Sequence, residues 1–158
     1  MASWGEVSVS APAFAEAVRG YLDAHVHKTL ATLRRDGSPR ISGIETVFTE
    51  DELFLGMMWH SFKALDLQRD PRFALHSGSV DPPAWNGDAK LSGVAEEITD
   101  QARVRAILVG ADREQPGPAH LFRADVGDVS IVHLGDPPDH LVTEFWRAGQ
   151  GVRVTRRT

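Results

Sequence analysis

Two different spacings of apolar residues divide the first sixty residues of the chain. Residues 11–25 carry Phe14, Val18 and Leu22 at intervals of four. That stripe predicts an amphipathic first helix, and Pro12 suits its first turn. From residue 26 onward the apolar residues alternate with polar ones or form short β-branched runs, which indicates extended strands.

The remaining elements follow from the same patterns and from the turn residues between them. Strands are predicted at 26–33, 40–48, 52–59, 72–77, 89–98, 121–126, 128–134 and 140–146. Short helices are predicted at 61–69, with Ser61 as its cap, and at 100–109, capped by Thr99. The first three strands are joined by short turns and should form an antiparallel meander. Many short strands with tight turns are typical of a mainly β barrel or sandwich, here predicted as one domain over residues 1–158.

Composition removes several classes of function. The chain has no cysteine, which excludes disulfides, thiolate metal sites and cysteine nucleophiles. Its net charge of −5 argues against a protein that wraps nucleic acid. No run of 18 apolar residues is present and the N-terminus lacks the features of a secretory signal, so we expect a cytoplasmic protein without a membrane segment.

Sequence motifs for common chemistry are also missing. There is no glycine-rich dinucleotide or P-loop motif, no nucleophile elbow and no zinc-protease motif. His25 and His27 would share one face of a strand, as a metal pair requires, but no third ligand is evident. We therefore predict no metal site and interpret these histidines as solvated.

The turn into the helix at 61–69 is a candidate anion site. A helix N-terminus presents free N–H groups and the positive end of the helix dipole. Ser61 adds a hydroxyl, and Lys63 adds a positive charge in the first turn, where the dipole ordinarily favours acids. Two interpretations stay open: Lys63 binds an anion, or it is a solvated lysine beside a capping serine.

Three more side chains are weaker candidates. Arg40, on the predicted second strand, is able to add a bidentate phosphate contact, or it is an edge arginine in water. Trp85 and Trp146 are able to stack on a planar ligand, or they fill the core or a dimer contact.

Together these segments resemble the pyridoxamine 5′-phosphate oxidase-like, FMN-binding split-barrel superfamily, which includes F420-dependent reductases. The similar segments are TLATLRRDGSPRIS (29–42), LFLGMMWHSFKALDLQRDPRFAL (53–75) and AKLSGVAEEI (89–98). The resemblance implies a six-stranded antiparallel split β-barrel with a few short flanking helices. It also implies a homodimer with two cofactor sites at the interface.

The resemblance assigns roles to particular residues. Ser61 and Lys63 would hold the cofactor phosphate with help from Arg40, while Ser42 and the backbone of Met58 and Trp59 would line the ring. Trp146 is the last residue assigned to cofactor contact.

The C-terminal segment EFWRAGQGVRVTRR (144–157) is similar to the closing segment of the oxidases. Arg153 and Arg157 fall near the two arginines of that pattern, but Thr155 replaces its histidine. Phe62 also stands where the oxidases often carry a phosphate-binding arginine. These departures predict that pyridoxine 5′-phosphate is not the substrate.

The leading hypothesis is an oxidoreductase that uses FMN, or alternatively F420, on an unidentified small molecule. Hydride chemistry would belong to the cofactor, and the protein would bind and orient it. No catalytic residue is identified. The alternative is a non-catalytic protein of the same fold that carries flavin, F420 or haem.

Overall fold

Two consecutive helices open the chain, and eight strands and two further helices follow. The computed structural model describes all residues from Met1 to Thr158. The helices are α1 (Trp4–Ser10), α2 (Pro12–Asp23), α3 (Phe62–Arg69) and α4 (Gln101–Gly110). The strands are β1 (Lys28–Leu33), β2 (Pro39–Phe48), β3 (Leu53–Met58), β4 (Arg72–His76), β5 (Asp88–Glu97), β6 (Ala119–Leu134), β7 (Leu141–Arg147) and β8 (Gly151–Arg157).

Six of the strands close into an antiparallel barrel. The order is β3-β2-β1-β4-β5-β6, and a further pairing of β3 with β6 closes the ring. The strand β3 pairs only with the first part of β6, and β7 pairs with residues 128–134 of β6. The strand β8 pairs with β7 and ends the sheet. The predicted mainly β fold, a six-stranded antiparallel barrel with short flanking helices, is therefore confirmed.

Apolar side chains from alternate strand positions fill the barrel. Leu30 on β1 and Leu55 on β3 are fully buried there, and Phe122 on β6 is 1% exposed. Ala64 and Leu67 of α3 pack on this core, as do Phe14, Val18 and Leu22 of α2. A second, smaller cluster lies outside the barrel, where Val104 and Leu108 of α4 cover Phe54 and Leu121.

The sequence prediction was wrong about the strand around Gly127. It placed two strands at 121–126 and 128–134, but β6 runs without a break from Ala119 to Leu134. Gly93 pairs with Val126 and Ser92 pairs with Asp128, so Gly127 is the extra residue of a β-bulge. Gly93 is required opposite this bulge, because a Cβ there would lie 1.9 Å from the Asp125 carbonyl oxygen.

Four smaller features also differ from what the sequence indicated. The sequence indicated neither α1 nor β8, and both are present. Asp100, rather than Thr99, caps α4, because its carboxylate accepts from the backbone of Ala102 and Arg103. His25 and His27 precede β1 and do not lie in a strand.

Candidate functional site

A cleft of about 480 Å³ lies on the outer face of β2 and β3, and we call it the outer cleft. Leu55 and Met57 point into the barrel core, so Gly56 and Met58 between and after them face outward. The loop after α4 forms the opposite wall. The residues that line the outer cleft include His27, Gly43, Glu45, Gly56, Met58, Lys63 and Arg113.

Lys63 is the cation of the outer cleft that has no acidic partner. It extends from the first turn of α3 and donates a hydrogen bond to the Gly43 carbonyl oxygen at 2.7 Å. No carboxylate lies within 4.0 Å of its ammonium group. Burial lowers the pKa of Lys63 below its ordinary value, because desolvation disfavours the charged form. Lys63 is thus a partly desolvated cation whose partner is a neutral carbonyl.

Ser61 occupies the predicted cap position of α3 without capping it. Its backbone is extended, yet its hydroxyl makes no hydrogen bond to the first turn. Ser61 Oγ is buried and has no hydrogen-bond partner. A buried hydroxyl ordinarily finds a partner, so Ser61 Oγ is an exception in this structure, and Ser61 is not among the residues that line the outer cleft.

Two glycines keep the floor of the outer cleft open. Nothing lies within 4 Å of the position that a Cβ on Gly43 would occupy, and a Cβ on Gly56 would make only ordinary contacts. Glycine inside a strand often marks a place where a ligand approaches the backbone closely. A planar group has room to lie on β2 and β3 at this point.

Charged residues of both signs line the rim of the outer cleft. Arg113 lies 3.6 Å from Glu45, and His27 lies 3.7 Å from the other oxygen of the same carboxylate. Glu45 is therefore paired with Arg113 and lies close to the His27 ring. The structure contains no group of three or more His, Cys, Asp or Glu side chains arranged to hold a metal ion.

Arg40 and Ser42 lie on the opposite face of β2 from Gly43. Arg40 pairs with Thr32 and Ser42 pairs with Leu30, and both partners are buried toward the barrel interior. Arg40 Nε donates to Asp66 Oδ2 at 2.6 Å. The structure thus separates Arg40 and Ser42 from the outer cleft, and their contacts with a cofactor phosphate and ring stay predictions.

Met58 and Trp59 follow each other but face different surroundings. Met58 lies in the outer cleft with its side chain 74% exposed. Trp59 stacks on His120, with ring centroids 4.3 Å apart and planes 12° apart. His120 in turn forms a hydrogen bond with Glu97 through Nδ1.

Trp146 is a core residue. Its side chain is 2% exposed, and its indole N–H donates to Ser10 Oγ of α1 at 3.0 Å. In the single chain α1 covers this side chain, and contact of Trp146 with a cofactor stays a prediction. Trp85, the other aromatic candidate, is half-buried in the loop before β5.

The C-terminal residues lie on the exposed strand β8. Arg153, Thr155 and Arg157 alternate along one side of β8, opposite Phe145, Thr143 and Leu141 of β7. None of them lines the outer cleft of the same chain.

None of the helices is long and apolar enough to cross a bilayer.

Comparison with known proteins gives structural neighbours only. No protein-family model matches the sequence, and no curated protein matches it. One solved structure is a pyridoxamine 5′-phosphate oxidase-related, FMN-binding protein from Nostoc punctiforme. It is 15% identical, has a TM-score of 0.64, and the match covers 94% of this chain and 96% of that one. The chain has the fold of the FMN-binding split barrels.

Two further split barrels illustrate the range of the fold. PhzG from Burkholderia lata, in complex with tetrahydrophenazine-1-carboxylic acid, is 12% identical with a TM-score of 0.59 over 97% of this chain and 92% of that one. An F420 reductase is 17% identical with a TM-score of 0.54 over 70% of this chain and 94% of that one. The fold implied by the sequence resemblance is confirmed.

Sequence reasoning missed several residues of the outer cleft. Gly43 and Gly56 carried a usable signal, because each interrupts a strand that is otherwise rich in β-branched or bulky residues. Glu45 and Arg113 carried none, since they are 68 positions apart and only the fold brings them together. The positions of Ser61 before α3 and of Lys63 in its first turn were predictable because both are local features, and of the two only Lys63 lines the outer cleft.

Proposed function

We propose that this chain binds the phosphate of a flavin-type cofactor in the outer cleft and acts as a homodimeric oxidoreductase. One observation carries the proposal: Lys63, a partly desolvated cation without a carboxylate, lies two residues from Ser61, whose buried hydroxyl has no partner. A phosphate group supplies what both lack, namely negative charge for the ammonium and acceptor oxygens for the hydroxyl. The residues present therefore fit the group.

FMN is the first choice of cofactor, and F420 is the alternative. The neighbour that is described as FMN-binding covers nearly all of this chain, whereas the F420 reductase covers 70% of it. When bound, either cofactor would supply hydride transfer. The chain's own residues would have simpler tasks. Lys63 and Ser61 would hold the phosphate, Gly43 and Gly56 would leave room for a planar group, and Met58 would cover it from one side.

A homodimer is part of the proposal. Ile41 and Met58 on the outer faces of β2 and β3 are 75% and 74% exposed, and Phe62 at the start of α3 is 70% exposed. Exposed large apolar side chains on consecutive elements of the fold are typical of an interface. A partner on this surface would also enclose the outer cleft, which is open to solvent in the single chain.

The substrate is a small molecule other than pyridoxine 5′-phosphate. That ester needs positive charge and donors beyond those that hold the cofactor. Thr155 offers one neutral hydrogen bond, worth about 0.5–1.5 kcal/mol, where a charged group gives about 1.5–3 kcal/mol. Arg153 and Thr155 also lie on exposed β8, outside the outer cleft of their own chain.

The test is a titration of the purified protein with FMN and with F420, followed by turnover. Saturable binding of either cofactor, with reduction by a small-molecule donor and reoxidation by an acceptor, is the expected result. Saturable binding without turnover would favour the non-catalytic carrier of the same fold. Binding of neither cofactor would overturn the proposal. Pyridoxal 5′-phosphate formation at about 1 per second or faster would contradict the substrate assignment.

A further inference from the structure

A buried histidine packs against the turn that joins β3 to α3. His120 is the second residue of β6 and pairs with Met57 of β3, and its side chain is only 4% exposed. Its Nδ1 atom lies 2.5 Å from Oε1 of Glu97, the last residue of β5. A carboxylate oxygen only accepts hydrogen bonds, so Nδ1 carries the hydrogen and donates it. This hydrogen bond fixes the orientation of the His120 ring.

The His120 ring is a platform for the first residue of the turn. Trp59 follows β3 directly, and its indole lies on the imidazole with the ring centroids 4.3 Å apart and the planes 12° apart. The ring of Phe122, a core residue of the barrel, lies 6.3 Å from the His120 ring. Pairs of aromatic rings are favourable only in particular geometries, so the orientation of His120 decides where Trp59 lies.

The backbone of the turn depends on contacts of this kind. His60 has a φ of 58°, in the left-handed region that residues other than glycine rarely adopt. Such a conformation persists where the surrounding structure fixes it. The His60 ring lies 4.9 Å from the Trp59 ring and 6.2 Å from the His120 ring, so three rings pack together at this point. The direction in which the chain enters α3, and with it the position of Lys63, is therefore set at this turn.

The carboxylate of Glu97 reaches both ends of α3. Its Oε1 atom accepts from His120, which supports Trp59 just before the helix begins. Its Oε2 atom accepts a hydrogen bond at 2.8 Å from Nε2 of Gln68, which lies in the last turn of the helix. One side chain of β5 therefore ties α3 to the barrel at its start and at its end.

We propose that His120 and Glu97 are positioning residues, which hold the turn and α3 where Lys63 presents its charge to the outer cleft. This role rests on the proposed function, because the anion that Lys63 would bind is the cofactor phosphate. Neither His120 nor Glu97 lines the outer cleft, so both act through Trp59 and α3 rather than by touching the ligand. A change at Glu97 should therefore alter cofactor affinity from outside the outer cleft.

Two substitutions of Glu97 test this role by absorbance titration with FMN and with F420. Glu97→Ala removes the acceptor for His120 and should weaken binding of the preferred cofactor by about five- to tenfold, because Lys63 keeps its charge but loses its fixed position. Glu97→Gln keeps a carbonyl oxygen that accepts from His120, so its affinity should stay within about twofold of the native value. In the His120→Phe protein, where no Nδ1 is left to orient, Glu97→Ala should add less than about twofold.

Two control variants separate position from stability. Glu96→Ala removes the neighbouring carboxylate of β5, which pairs with Arg123 instead of His120, and should leave cofactor affinity unchanged. Ile131→Val shortens a core side chain that is 1% exposed, and it should lower the urea midpoint without changing affinity. An equal loss of affinity in Glu97→Ala and Ile131→Val would assign the effect to general destabilisation and overturn the proposal. A full loss from Glu97→Ala in the His120→Phe protein would overturn it as well.

A spectroscopic measurement reports the turn without any ligand. Fluorotryptophan labels the four tryptophans, and Trp59→Phe assigns the fluorine NMR signal of Trp59. Glu97→Ala should shift and broaden that signal, and Glu97→Gln should restore it. An unchanged Trp59 signal, or a native affinity, in Glu97→Ala would overturn the proposal. Binding of neither cofactor by the native protein would overturn the proposed function instead, and the Trp59 signal would then decide whether Glu97 holds the turn.

Discussion

The ammonium group of Lys63 lies 2.7 Å from the carbonyl oxygen of Gly43, and this contact joins the start of α3 to the middle of β2. Lys63 has no acidic partner, and burial holds its pKa below the ordinary value. The same contact places the cation beside the open floor at Gly43. An anion entering the outer cleft would therefore find a charge and a space next to each other.

The pH dependence of cofactor binding should report Lys63. Its pKa is lowered in the free protein, and a bound phosphate would raise it by favouring the charged form. The cofactor affinity should therefore be constant from about pH 7 up to the pKa of Lys63 in the free protein. It should fall as pH rises from that value to the higher pKa of Lys63 in the complex. Fluorescence titrations across alkaline pH would measure this decline. Lys63→Arg, which stays charged, should abolish the dependence, and a dependence that persists in it would exclude Lys63 as the source.

Filling the floor of the outer cleft should block the cofactor without harming the fold. Gly43→Val adds a side chain whose first carbon meets nothing within 4 Å. Valine also suits a strand better than glycine, so the free energy of unfolding should stay the same or rise by up to about 1 kcal/mol. We expect cofactor affinity to fall at least about tenfold, measured by absorbance titration. The matched control is Gly20→Ala, equally free of contacts but in α2, and unchanged affinity in both variants would show that the cofactor lies elsewhere.

The carboxylate of Asp66 should stabilise the fold in a pH-dependent way. Burial raises its pKa, but the hydrogen bonds from Arg40, Arg69 and Thr32 outweigh burial, and the net pKa is lowered. The stabilisation is therefore present above the unfolded-state pKa of about 3.9 and is lost as pH falls through the lower folded-state value. Asp66→Asn should reduce the free energy of unfolding by about 1.5–3 kcal/mol at neutral pH.

Urea unfolding at several pH values would check this stabilisation. The difference in the free energy of unfolding between the native protein and Asp66→Asn should become smaller below about pH 4. Asp81→Asn, in an exposed loop without an ion pair, should behave like the native protein throughout. If that difference in the free energy of unfolding stays constant at all pH values, the charge of Asp66 contributes nothing to stability.

Assembly should depend on the apolar surface beside the outer cleft. We expect the native protein to sediment near twice its chain mass of 17.3 kDa, with an interface of over about 2,000 Å². Met58→Glu should produce the single-chain mass, because it places a charge in the centre of that surface. Val9→Glu, at an exposed position of α1, should remain dimeric. A native protein that sediments as a stable monomer at micromolar concentration would contradict the proposed assembly.

Local signals predicted much of the barrel and part of the candidate site. The alternation in β1, the tight turn at Asp36 and Gly37, and the break at Pro71 depend only on neighbouring residues, and each was placed from the sequence. The cap position of Ser61 and the first-turn location of Lys63 were predictable for the same reason.

The features that the sequence did not reveal depend on residues that are far apart along the chain. Periodicity showed that Arg40 and Ser42 share a face of β2, but not that this face meets Asp66 and the barrel interior. Gly127 resembled a turn because the bulge opposite Gly93 is not visible in one strand. Nearly every residue of β8 is exposed, and its apolar alternation is limited to Val152 and Val154, which is too short a pattern to indicate a strand. Trp146 is buried by α1, more than 130 positions away.

The dissociation constant of FMN and of F420 for Lys63→Ala, compared with the native protein, tests the central claim most directly. A charge-assisted contact is worth about 1.5–3 kcal/mol, so the loss of Lys63 should weaken binding of the preferred cofactor by about 10- to 150-fold. Circular dichroism would verify that the variant is folded. An unchanged dissociation constant in a folded Lys63→Ala protein would contradict the account.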